Sequence, residues 1–90
     1  MNPDPTIPNL IAFLRERVAR REVVLLHLRQ RRDERSQHFD AKIDDAPIAA
    51  RRALSDQWSR ERHQIEISIA AADAERLAYL HVLKRLTGDE

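Results

Sequence analysis

Ile43-Asp44-Asp45-Ala46-Pro47 is the stretch that decides the fold. On either side of it lie long amphipathic segments whose interiors hold neither glycine nor proline; the only glycine is Gly88. Asp44 or Asp45 can cap a following helix, and Pro47 suits a first helical turn, where its missing N–H costs nothing. A connection this short favours antiparallel neighbours. The expectation is an all-α fold, an antiparallel two-helix hairpin of coiled-coil character. Helix 1 is expected over residues 8–42, the hinge over 43–46 and helix 2 over 46–86. Pro3, Pro5 and Pro8 make residues 1–8 a flexible arm with Thr6 as an N-cap, and residues 87–90 form a tail.

Working outward, each segment carries an apolar stripe. In helix 1 it runs through Ile7, Leu10, Ile11, Leu14, Val18, Leu25, Leu28, Phe39 and Ile43, interrupted by Arg21 and Arg32. In helix 2 it runs through Leu54, Trp58, Ile65, Ile69, Ala72, Tyr79, Leu83 and Leu86, interrupted by Glu61 and Arg76. Folding about the hinge sets Phe39 near Leu54, Leu25 near Ile65 or Ile69, and Ile11 near Tyr79 or Leu80. It also sets Arg32 beside Trp58 and Glu61, where a salt bridge or stacking on the indole would hold it.

Helix 2 has a second face, at His63, Ile67, Ala70, Ala74, Leu77 and His81. The spacings of 4, 3, 4, 3 and 4 form a seam pattern, and the small alanines allow close approach of another helix. Ninety residues in a lone hairpin supply no third layer, and small chains often complete a core by oligomerising. These six residues are therefore the candidate self-association site, with a homodimer forming a four-helix bundle.

The net charge of +1 conceals an asymmetry. Residues 15–35 hold eight arginines against four acids, while Asp4, Asp40, Asp44, Asp45, Asp89 and Glu90 lie at the hinge and termini. Arginine outnumbers lysine fourteen to two, and guanidinium groups suit bidentate contacts. With no cysteine, disulfides, thiol catalysis and thiolate metal sites are excluded. The longest apolar run, Val23-Val24-Leu25-Leu26, is far too short to span a bilayer. The polar, proline-rich opening does not read as a signal segment, so the expectation is a cytoplasmic protein without a membrane partner.

No motif points to catalysis, a cofactor or a metal. His27, His38, His63 and His81 lack the Glu-x-x-His pattern of bundle metal sites. Leu14-Arg15-x-x-Val18, Leu25-Leu26-x-Leu28 and Arg32 resemble the first helix of small all-helical chorismate mutases. That resemblance implies a dimeric enzyme gripping a dicarboxylate with Arg15, Arg32 and Lys42. The sequence departs from it in having no break within residues 47–86 and no Ser/Gln pair near the end. The leading expectation is instead a small non-enzymatic interaction module, an adaptor or regulator of phage or host type. It would meet an unidentified protein partner through Phe13, Val24, Arg20, Arg31 and Arg35. The alternative is a nucleic-acid-associated protein setting helix 1 arginines against phosphates, with interleaved acids lowering its field.

Overall fold

The computed structural model describes residues 6–88. They form two α-helices, α1 (Thr6–Asp45) and α2 (Ile48–Thr87), packed as an antiparallel hairpin with no strand among the described residues. α1 starts two residues earlier and ends three residues later than the sequence suggested. Thr6, Ile7 and Pro8, expected in the arm, are helical, and the rest of that arm lies outside the described residues. Of the expected tail, Thr87 is the last helical residue and Gly88 a turn; positions 89 and 90 lie outside the described residues.

The break narrows to Ala46 and Pro47. Proline explains its place. A helix continued through Pro47 would lose an N–H donor and press the ring against the carbonyl of Ile43, and the residue before proline is steered away from helical backbone. The last turn of α1 tightens, with Ala46 N–H donating to Ile43 C=O at 3.2 Å. Pro47 C=O accepts the first bond of α2, from Ala50 N–H at 2.9 Å. Arg51 Nε donates to the Ala46 carbonyl at 3.1 Å, satisfying a group that neither helix uses. Asp44 and Asp45, expected to cap α2, are the final residues of α1 instead. At the far end of α2, Gly88 adopts φ +75°, the left-handed conformation of a helix stop. Lys84 and Arg85 complement the last-turn carbonyls, and Thr87 Oγ1 donates to Leu83 C=O at 2.8 Å.

The chain comprises two compact units. The terminal unit holds the part of α1 up to Leu25 and the part of α2 from Ala71. Its core is Leu14, Val18 and Leu83, with Ile11, Tyr79, Leu80 and Leu86 packed against them. Leu25 and Ala72 are buried in the same unit. The expected association of Ile11 with Tyr79 and Leu80 is present in this cluster. The hinge unit, Leu26–Ala70, buries Phe39 and Ile65. Phe39, 1% exposed, stacks on Trp58 with ring centroids 5.3 Å apart and planes 25° apart. All seven of these buried side chains lie on the two apolar stripes.

Candidate interaction surfaces

The polar residues that interrupt the stripes each face an opposite charge within their own unit, although the buried Nε of Arg21 has no hydrogen-bond partner. In the hinge unit, Arg35 Nε donates to Glu61 Oε1 at 2.6 Å and a terminal nitrogen donates to Oε2 at 3.1 Å. This two-pronged bond ties α1 to α2 between half-buried side chains, a geometry suited to fixing register. Arg32, expected beside Trp58 and Glu61, does line a recess with Trp58, but Glu61 is taken by Arg35. The correction has a simple cause: the chain reverses later than residues 43–46, so the residue of α1 facing Glu61 comes about one turn later. The same shift sets Trp58 against Phe39. Arg32 Nε lies 3.5 Å from the exposed carboxylate of its neighbour Asp33.

Arg35 was also expected among the arginines facing a partner. It is instead engaged by Glu61, and its guanidinium lies 5.2 Å from the Phe39 ring centroid. The Glu61 carboxyl is held below the usual carboxylate range, chiefly by the hydrogen bond from Arg35, with burial opposing and the charges of Arg35, Arg31 and His38 assisting. The same bond raises Arg35, against the effect of its burial. A carboxylate depressed in the folded state contributes stability in full above its unfolded value of about 4.3, and that contribution is lost as pH falls through the folded value. Acid is therefore expected to weaken the wild type below about pH 4.3 through this pair. Glu61→Gln should lack the contribution at all pH values and show a flatter acid limb in urea midpoints. Parallel acid limbs in the two proteins would remove Glu61 from the acid response.

In the terminal unit, Arg21 approaches Glu75 at 3.4 Å across the helices, and Arg76 bonds Asp73 on its own helix at 2.9 Å. Arg20 bonds Glu16 one turn back at 2.6 Å, among exposed side chains. Such a pair on a helix surface contributes only about 0.3–0.5 kcal/mol, so a partner carboxylate can displace it.

Phe13 is exposed, as the contact reading requires, with the Arg17 guanidinium 4.9 Å from its ring centroid. Val24 is half-buried and lines a shallow, mainly apolar recess of about 440 Å³ with Glu16, Ala19, Arg20, Arg21 and Val23. Val23, not singled out from the sequence, is the more open valine of this pair. Arg31 is exposed and lines a smaller recess with Leu28, Glu61, Gln64, Ile65 and Ser68.

The second face of α2 is exposed at all six positions. His63, Ile67 and Ala70 lie in the hinge unit; Ala74, Leu77 and His81 lie in the terminal unit. Ile67 is 50% and Leu77 53% exposed, high for large aliphatic residues. Among the described residues, no group of three or more His, Asp or Glu side chains is placed to hold a metal ion. No helix among them is long and apolar enough to cross a membrane.

Of the residues named by the mutase resemblance, Arg15 and Lys42 are exposed and Arg32 is half-buried. Ten residues separate Arg32 from Lys42 on α1, an axial distance of about 15 Å. α2 runs unbroken through the region where that family has a break. No family model, curated protein or solved structure matches this chain.

Proposed function

We propose that the chain is a non-enzymatic helical interaction module that pairs with a second copy of itself and meets another protein through its remaining helix faces. The observation that carries the reading is the exposure of the whole α2 seam, from His63 to His81. Burying Ile67 and Leu77 against a symmetry mate removes apolar surface from water at about 25 cal/mol per Å². Ala70 and Ala74 at the centre let two α2 helices approach closely. A two-fold axis makes the contact self-complementary, each seam meeting the same seam. The assembly is a four-helix bundle.

Phe13, Val24, Arg20 and Arg31 are the proposed contacts for the external partner. Arg35 leaves that set because Glu61 holds it. The partner is a protein surface rather than nucleic acid, since the acids interleaved with the α1 arginines lower the field that phosphates would meet. The adaptor or regulator role is cytoplasmic in this reading.

Size-exclusion chromatography with light scattering tests the assembly. The expected result is one peak at twice the 10.5 kDa chain mass, with an absorbance ratio typical of protein alone. A monomer at micromolar concentration would overturn the dimer. A peak carrying nucleic acid, displaced by modest salt, would move the function to phosphate binding.

A further inference from the structure

The exposed face of α2 carries a symmetry that a second copy of the same helix can use. Ala70 and Ala74, Ile67 and Leu77, and His63 and His81 stand two, five and nine residues on either side of position 72. Residue types are mirrored along with the spacing: small with small, aliphatic with aliphatic, imidazole with imidazole. Ile67 and Leu77 are also alike in exposure, at 50% and 53%. A two-fold contact between antiparallel helices exchanges positions in this way, each residue meeting its mirror position on the other copy. A foreign partner helix imposes no such symmetry on the face that receives it.

Mirrored types alone also suit a parallel pair, in which each residue meets its own copy. Charge distinguishes the two directions. Residues 78–88 hold Lys84 and Arg85 and no acid, whereas residues 56–66 hold Arg60 and Arg62 with Asp56, Glu61 and Glu66. Glu61 is held by Arg35 inside the hairpin, which leaves two acids against two arginines. These two segments are mirror ranges about position 72. A parallel pair sets Lys84 and Arg85 beside their own copies, four cations with no acid in the facing segments. An antiparallel pair sets each dibasic segment against the balanced one, and like-charge contact of that kind is what selects orientation at an interface.

We infer that two copies of α2 pair antiparallel about position 72, so that Ile67 meets the partner's Leu77, Ala70 the partner's Ala74 and His63 the partner's His81. This register rests on the self-pairing proposed above and adds its direction and its contacts. The two alanine layers lie nearest the axis, where the helices approach most closely, and an imidazole pair closes each end. Residues 48–56 of each α2 run past the end of the partner's α2, which sets the two hinges at opposite ends of the assembly.

The chain has no cysteine, so introduced thiols report without background. The experiment oxidises four samples of the full chain: His63→Cys alone, His81→Cys alone, an equal mixture of the two, and the double variant. Both positions are exposed, so helicity should be unchanged. In the antiparallel register mirror positions are level, while identical positions lie about 27 Å apart along the helices. The two thiols of one chain are separated by the same distance, about 27 Å, and cannot bridge each other. Each single variant is expected to stay uncrosslinked, while the mixture and the double variant give covalent dimer in at least about tenfold higher yield, since a disulfide needs Cα atoms within about 7 Å. Ile67→Cys with Leu77→Cys repeats the test nearer the axis, with identical positions about 15 Å apart, and serves if a histidine variant loses helicity.

Light scattering on the wild type separates the two levels of failure. A monomeric wild type overturns the self-pairing and the register together. A dimer whose single variants crosslink is parallel, which overturns the register and keeps the seam. A dimer in which neither the single variants nor the mixtures crosslink meets through another face, which overturns the register and the seam.

Discussion

Ala74→Arg is expected to convert the proposed dimer into a folded monomer. Ala74 is exposed in the single chain, so the arginine meets no clash there and helicity should be unchanged. The cost falls entirely on assembly. At a two-fold contact the substitution enters twice, placing two long cations between helices that alanine allows to pack closely. Steric exclusion and unpaired charge act together, and a desolvated charge without a partner costs several kcal/mol. A loss of that size weakens association by at least about a thousandfold, enough to abolish a micromolar dimer. Light scattering across a dilution series reads it directly. A variant that stays dimeric would show that the seam lies elsewhere, and Ile67→Glu on the same face would decide between a tolerant seam and a misplaced one.

Phe39→Ala should produce the largest loss of stability. Phe39 is the most completely enclosed large side chain among the described residues, and it holds Trp58 by stacking. Its removal deletes a buried ring, leaves a cavity in a thin core and releases the indole. Such truncations cost about 3–5 kcal/mol. Small domains are stable by on the order of 5 kcal/mol in total. The hinge unit has only Ile65 as a second buried apolar side chain, so it has little to compensate. The variant is expected to be largely unfolded at physiological temperature, with broad Trp58 emission. Urea titrations followed by circular dichroism check it, at one fixed protein concentration because assembly adds stability by mass action. A loss below about 1 kcal/mol would mean that the hinge unit repacks around the gap. Phe13→Ala is the contrast: the ring is 47% exposed, so folding should change by less than about 0.5 kcal/mol while partner contact is lost.

The architecture was legible because its signals are periodic and local. Two gap-free amphipathic stretches and one proline suffice to specify two helices and a reversal. Every buried residue falls on a stripe that helical spacing alone picks out, since a helix can bury only one face against a single neighbour. What was not legible was the pairing across the hairpin. The acids at positions 44 and 45 read as caps for α2, yet the helix runs through both and stops only where the Pro47 ring forces it. That small displacement shows in the pairs of the hinge unit, while the expected association of Ile11 with Tyr79 and Leu80 is kept. Arg35 takes the place at Glu61 expected for Arg32, and Phe39 stacks on Trp58. The place of Arg62 beside Arg32 was not legible for a related reason: it depends on the facing helix, and no spacing within α2 announces it. Val23 and Val24 were separable only once rotation of α1 against α2 was known.

α1 and α2 are each forty residues long, and the reversal between them occupies two residues. Changes of length in one arm of this hairpin are consequently expected to require changes in the other. One residue added within either helix turns everything beyond it by about 100° and takes the stripe off its partner. Seven residues added to one helix restore the rotation but leave that turn pair without an opposite. A seven-residue addition to both helices, at facing positions, restores both. Natural length variants of this hairpin should therefore differ by matched heptads on the two arms, and unmatched ones should be found only beyond Thr6 or Thr87.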